Sequence, residues 1–234
     1  MEAKLLQSMD VTGGSFELLL AVMAGSTVVL LLGTGWVGKK WKLPVGLAAT
    51  VTFVSALYYY QARGIWLDAE QMPVIYRYIA WLIAMPVQVV ALYFFINAIG
   101  TLRYGLFWRL LIAALIMVLA RYMGQVGYLY PVLGFLIGVV AWLYVLGEVF
   151  FGRLGELNTN SGDEIVRTGF FWLRLIVTVG WGVYPLCEFV ANFGGSMTEG
   201  DLSIVYNLAD LVNQMAFGMI ILAVALNESY SARG

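Results

Sequence analysis

The sequence predicts an all-α membrane protein, a seven-transmembrane-helix bundle, on three observations. Of its 234 residues 62% are hydrophobic and only 12% are charged, against roughly half and about a quarter in a soluble domain. The mean hydropathy is +0.85. Seven apolar stretches reach the ~20 residues that a helix rising about 1.5 Å per residue needs to cross roughly 30 Å of hydrocarbon. Continuous runs such as VLGFLIGVVAWLYVLGEVF lack the alternation of barrel strands, so the spans read as helices.

In chain order the spans are expected at 16–36, 43–61, 73–99, 104–125, 131–151, 165–192 and 202–227. Polar and helix-ending residues separate them: Gly38-Lys39-Lys40, Arg63-Gly64, Gly100-Thr101, the segment 152–162 and the segment 194–200. These links are short, so successive helices should be antiparallel neighbours. The first run is too long for a signal-peptide core and has no basic stretch before it, so it reads as a retained span. The whole of 1–234 is expected to be one seven-helix domain with no separate soluble domain.

Cations set the expected orientation. Lys39, Lys40, Lys42, Arg103, Arg109, Arg153, Arg167 and Arg233 fall on one side and only Lys4 and Arg63 on the other. The positive-inside tendency then places the N-terminus outside and the C-terminus in the cytoplasm. Thirteen Lys and Arg against fourteen Asp and Glu leave a net charge of -1, which offers nothing to a nucleic acid. A single cysteine, Cys187, and the absence of histidine leave no donor set for zinc or haem, so no metal is expected.

Ionised side chains at mid-membrane cost about 2.5–3.5 kcal/mol on insertion scales, so they face the bundle interior and find partners. Arg77 in the third span and Asp210 in the seventh are expected to form such an electrostatic pair. Arg121, Arg174 and Glu148 lie near span ends, where long side chains snorkel. Glu188 stands seven residues after Trp181, on the face of that ring and of Tyr184, from which it could reach an outer cavity.

RYIAWLIAMP in the third span, GWGVYP in the sixth and YNLADLVNQMAFG in the seventh resemble the matching segments of bacterial proteorhodopsins. ARGIW, RYMGQVG and the final Asn-Glu-Ser extend the likeness along nearly the whole chain. The resemblance implies the microbial (type 1) rhodopsin fold, in which a lysine of the seventh helix carries retinal and light drives proton export. Here the matching position is Gln214, one turn after Asp210. A carboxamide nitrogen is neither basic nor nucleophilic, so glutamine cannot form an imine. The chain's lysines are Lys4, Lys39, Lys40 and Lys42, all at membrane surfaces. No covalent retinal is therefore expected.

The resemblance also implies pump positions that are lost here: Ala80 for the counterion and proton acceptor, Ala84 for a threonine, and Ala91 for the proton donor. Arg77 and Asp210 alone sum to zero, as the full set of charges does in a pumping relative, so the losses are mutually consistent. Trp81, Met85, Trp181, Tyr184 and Pro185 match the family's chromophore pocket; Tyr206, Asp210 and Gln214 match its attachment side, and Gln88 its colour-tuning position. Arg77, Ala80, Ala84, Gln88 and Ala91 recur at steps of three or four and share one inward face.

The first functional expectation is a lysine-less, proteorhodopsin-like scaffold, regulator or oligomer-partner paralogue. A photoreceptor-like or carrier protein holding retinal, a carotenoid or another apolar ligand non-covalently is the alternative, and a passive ion channel or transporter the third. No enzyme is expected, since no Ser/His or Cys/His set, paired carboxylates or phosphate loop occurs. Expected partners are the lipid bilayer and further rhodopsin chains, as a pentamer or hexamer implied by the resemblance or as a hetero-oligomer with a related rhodopsin.

Overall fold

The computed structural model describes residues 6, 9–71, 73–190 and 198–231, residue 199 by its backbone alone. Lys4, Arg233 and the last two residues of the expected sixth span lie outside the described residues. The elements are α1 (Val11–Trp36), a short 3₁₀ turn (Lys39–Trp41), α2 (Lys42–Ala69), α3 (Val74–Asn97), α4 (Tyr104–Gln125) and α5 (Pro131–Phe150). There follow α6 (Arg153–Thr159), α7 (Glu164–Leu175), a π-helical turn (Ile176–Gly180) and α8 (Trp181–Phe189). The chain closes with α9 (Glu199–Asp210), a second π turn (Leu211–Ala216) and α10 (Phe217–Ser231). The sixth span is α7–α8 and the seventh α9–α10. Among the described residues seven helices are long and apolar enough to cross a membrane, and the chain is an all-helical, multi-pass membrane protein.

Lipid cannot hydrogen-bond a peptide group, so every span must satisfy its own backbone, and the helix does so. The outward face stays apolar: Leu31, Leu32, Ile112, Leu136 and Val140 are all exposed. Each of α1 to α4 packs on the helix that follows it, while α9 returns to α1 and α10 to α2 and α7, which closes the bundle. A shared hydroxyl contact, Thr27 Oγ1 to Thr52 Oγ1 at 2.8 Å, joins α1 to α2 inside it.

One boundary differs from the sequence expectation. Arg63-Gly64 does not break α2, which runs on to Ala69 and stops at Glu70 in the left-handed conformation, φ 52°. Glycine inside a helix costs only about 1 kcal/mol, and two contacts hold this extra length. Arg63 pairs with Glu17 of α1, and Trp66 Nε1 donates to Asp10 Oδ2 at 3.0 Å. Asp10 also caps α1 by accepting from the Gly13 N–H at 2.7 Å.

The segment 152–162 is likewise not all loop, since α6 lies within it. Asp163 then caps α7, accepting from the Ile165 and Val166 N–H groups at 2.8 and 3.1 Å. A hydrogen bond with Glu228 and these two backbone bonds hold its carboxyl below the ordinary value of 3.8. The sign follows: the folded state binds this proton less tightly than the unfolded chain. The cap therefore stabilises above about pH 4 and fades as pH falls through the depressed folded value. Asp163→Ala is expected to remove about 1 kcal/mol near neutral pH, read as a lower melting temperature in detergent, and to remove less in strong acid. Next to it Lys40 pairs with Glu228 at 2.5 Å and Ser229 Oγ accepts from the Gly38 N–H at 2.7 Å, fixing the link between α1 and α2 to the end of α10.

Candidate functional site

The centre of the bundle is built on a carboxylate, Asp210, at the last turn of α9 before the helix widens. Its Oδ1 accepts from Tyr184 OH at 2.6 Å, Gln214 Nε2 at 3.1 Å and Trp81 Nε1 at 3.3 Å. Its Oδ2 accepts from Tyr59 OH at 2.6 Å and faces Arg77 Nη1 at 3.5 Å. A carboxylate offers about four acceptor positions, so this one is saturated. The expected Arg77–Asp210 pair is thus present, both residues buried. Arg77 also donates from Nη2 to Asn207 Oδ1 at 3.0 Å and lies 5.1 and 5.3 Å from the ring centroids of Tyr58 and Tyr206, geometry that stabilises a desolvated cation.

Gln214 completes this network. Its Oε1 accepts from Ser55 and its Nε2 donates to Asp210, so both ends of the amide are engaged. Nothing at this position is nucleophilic. On α3 the face Arg77, Ala80, Ala84, Gln88 and Ala91 is buried throughout, as its spacing predicts. Ala80 joins a cluster that includes Phe16, Tyr58, Tyr59 and, from the seventh span, Leu211 and Met215.

The two π turns meet beside Gln88. A π turn draws a peptide group out of the regular helical ladder, and Gln88 Nε2 donates to the carbonyl of Asn213. The Asn213 side chain donates to Gly180 O and to Tyr184 OH, each at 2.9 Å. Gly180 leaves room for this arrangement, because a Cβ there would stand against the Asn213 Oδ1 and push that amide aside.

Next to the network lies a tight cavity of about 20 Å³, room for little more than a water molecule, between largely aromatic walls. Trp81, Met85, Trp181, Tyr184 and Pro185 line it, five of the residues the sequence singles out. Tyr206 stands behind them, its ring 5.7 Å from those of both Trp81 and Tyr184. Gln88, Asp210 and Gln214 are not on the cavity wall: the rings and hydrogen bonds of the central network separate them from it.

Sequence reading missed several members. Tyr59 and Ser55 stand on α2, where Thr52, Ser55 and Tyr59 repeat at steps of three and four, a polar stripe inside an apolar span that points inward. Arg121 and Glu188 differ from expectation in their surroundings. Arg121 does not snorkel: it is buried, pairs with Glu188 and lines the aromatic cavity. The reason is Gly138 on α5, where a Cβ would stand 2.5 Å from the Arg121 Cγ, so only glycine leaves the stem its inward path. Glu188 also borders an outer groove with Gly124, Gln125, Pro131 and Phe135. Arg174 lies over the rings of Phe150 and Phe170, with centroids at 5.0 and 5.2 Å, and Glu148 accepts from Tyr144 OH at 3.4 Å.

Comparison with known proteins adds the family context. A family model described as bacteriorhodopsin-like protein matches residues 10–228. The blue-light absorbing proteorhodopsin of Gamma-proteobacterium Hot 75m4 is 35% identical over 227 residues, 95% of this chain and 89% of that protein. The green-light absorbing proteorhodopsin of Gamma-proteobacterium EBAC31A08 is 34% identical over 230 residues, 97% and 91% of the two chains. Among solved structures, a blue light-absorbing proteorhodopsin from Med12 superposes with TM-score 0.80 at 37% identity, covering 94% of this chain and all of that one. Exiguobacterium sibiricum rhodopsin gives 0.83 at 27% identity, covering 94% and 98%.

These findings correct the leading functional expectation. The emptied pump positions suggested a scaffold, regulator or oligomer-partner paralogue. Relatives about one-third identical over nearly the full chain are instead named as light absorbers, and that reading is withdrawn.

Proposed function

The chain belongs to the bacteriorhodopsin-like family, and from that footing we propose that it is a light-absorbing membrane protein of the proteorhodopsin kind whose polyene, of the retinal class, is held in the Trp81–Trp181 cavity without a covalent bond. The supporting observation is the pairing of a retained aromatic cavity with an attachment position filled by Gln214, whose amide is hydrogen-bonded at both ends. Trp81, Trp181 and Tyr184 give the cavity the aromatic lining that suits a conjugated chain. The free space is far smaller than a polyene and the Trp81 and Tyr184 rings stand 4.7 Å apart, so the walls must open to admit one. The bound polyene would supply the absorption of light; the protein's own residues orient it, exclude water and hold the charges of Arg77 and Asp210 in balance. Ala80, Ala84 and Ala91 carry no atom that can bind a proton, so none of them relays one.

The distribution of Lys39, Lys40, Lys42, Arg103, Arg109, Arg153 and Arg167 supports an inner-membrane placement with the N-terminus outside.

Titration of the purified protein with all-trans-retinal tests the reading. The expected result is a shifted absorption band with quenched tryptophan fluorescence, both lost on denaturation, and no retinyl mass on any peptide after borohydride. A retinyl mass on a residue of the bundle interior would overturn the non-covalent mode, and an unchanged spectrum would overturn the pocket.

A further inference from the structure

We propose that the cavity is built to take its ligand as a carboxylate, an apolar or conjugated chain ending in an acid group that docks on Arg121. This assignment rests on the pocket reading above and deepens it. Arg121 brings a charge to a wall otherwise made chiefly of aromatic and aliphatic side chains. It is 8% exposed, and its Nε has no hydrogen-bond partner in the protein. Trp181, at 3% exposure, also leaves its Nε1 without a partner and lines the same cavity.

Both orphaned atoms are N–H donors. Buried donors left unsatisfied are destabilising, so the cavity suits a head group that only accepts, which an ionised carboxylate does. The guanidinium fork adds charge and a planar match to that group. The opposite end of the bundle centre is unsuited to a polar head, because the acceptors of Asp210 and both ends of Gln214 are already engaged.

Glu188 holds one side of the Arg121 fork and also borders the groove lined by Gly124, Gln125 and Phe135. An arriving carboxylate competes with Glu188 for Arg121, and the groove gives the displaced side chain somewhere to turn. The pair therefore acts as a placeholder on the docking position. A second prediction follows from the competition: removing the Glu188 charge should strengthen acid binding, the opposite of what losing a structural ion pair would do.

The experiment compares all-trans-retinoic acid, retinol and retinal by fluorescence quenching in nanodiscs of neutral lipid, for wild type, Glu188→Gln and the double variant Arg121→Gln/Glu188→Gln. Removing both charges together leaves no buried charge unpaired, and thermal melting checks that the double variant folds. Wild type is expected to bind the acid at least ten-fold more tightly than retinol, Glu188→Gln to widen that preference, and the double variant to lose it while still binding retinol. An acid preference absent from wild type, or unchanged in the double variant, overturns the assignment while leaving the pocket intact. Binding of none of the three overturns the pocket reading and this one with it.

Discussion

Gln214→Lys combined with Ala80→Asp is expected to turn this protein into one that fixes retinal covalently. Incubated with all-trans-retinal, the double variant should gain a visible band and, after borohydride, a retinyl-sized mass on the peptide of the seventh span; wild type should show neither. The new amine would take the place of an amide that now lies among Ser55, Asp210 and the rings around them. The aspartate is the necessary companion. Gln214→Lys alone would leave two buried cations, the new ammonium and Arg77, to share Asp210, and an uncompensated buried charge costs about 3–5 kcal/mol. The single variant should therefore melt well below the double one. Ala80 is the position to carry the second carboxylate because it packs with Tyr59, Leu211 and Met215, on the side of α3 that meets the seventh span. A folded double variant that stays colourless and unmodified would show that this bundle cannot seat an aldehyde next to position 214.

The second large effect concerns Asp210 itself. Asp210→Asn keeps the shape of the side chain but puts an NH₂ where one acceptor stood, among donors from Tyr59, Trp81, Tyr184, Gln214 and Arg77. Arg77, 2% exposed, then loses its counter-charge. The expected loss is about 3–5 kcal/mol, seen as early unfolding in detergent. Arg77→Gln/Asp210→Asn removes both charges and should be more stable than the sum of the single losses predicts, by a coupling of ~0.5–3 kcal/mol. Additive losses in that cycle would mean that the two residues do not depend on each other.

How much of this was legible in the sequence follows from what membranes demand. A span of apolar residues has no stable conformation in lipid except a helix, so the number and order of spans could be read from hydropathy. The inward face of α3 was legible too, since Arg77 and Gln88 cannot face lipid and their spacing carries Ala80, Ala84 and Ala91 with them. The end of α2 was not. Arg63 and Gly64 look like a terminus until Glu17 and Asp10, on another helix, are seen to hold that stretch. The inward turn of Arg121 depends on Gly138, seventeen residues away, and no local pattern announces it. The π turns are equally silent, because Gln88, Gly180 and Asn213 lie far apart along the chain and meet only after folding. Hydropathy also said nothing about function: the alanines of α3 pointed toward a scaffold or regulator, and full-length likeness to relatives named as light absorbers was needed to correct that.

The junction at Asn213 has a mechanical consequence. One side chain and its own carbonyl tie the third, sixth and seventh spans at a single level, through Gln88, Gly180 and Tyr184. A knot of this kind makes three rods share one fulcrum: the sixth cannot tilt alone, because its first degrees of travel would pull on the seventh and, through Gln88, on the third. Any force delivered to Trp181, one residue from Gly180, is accordingly felt first as torque on this joint, and the bundle yields as a coupled set of levers.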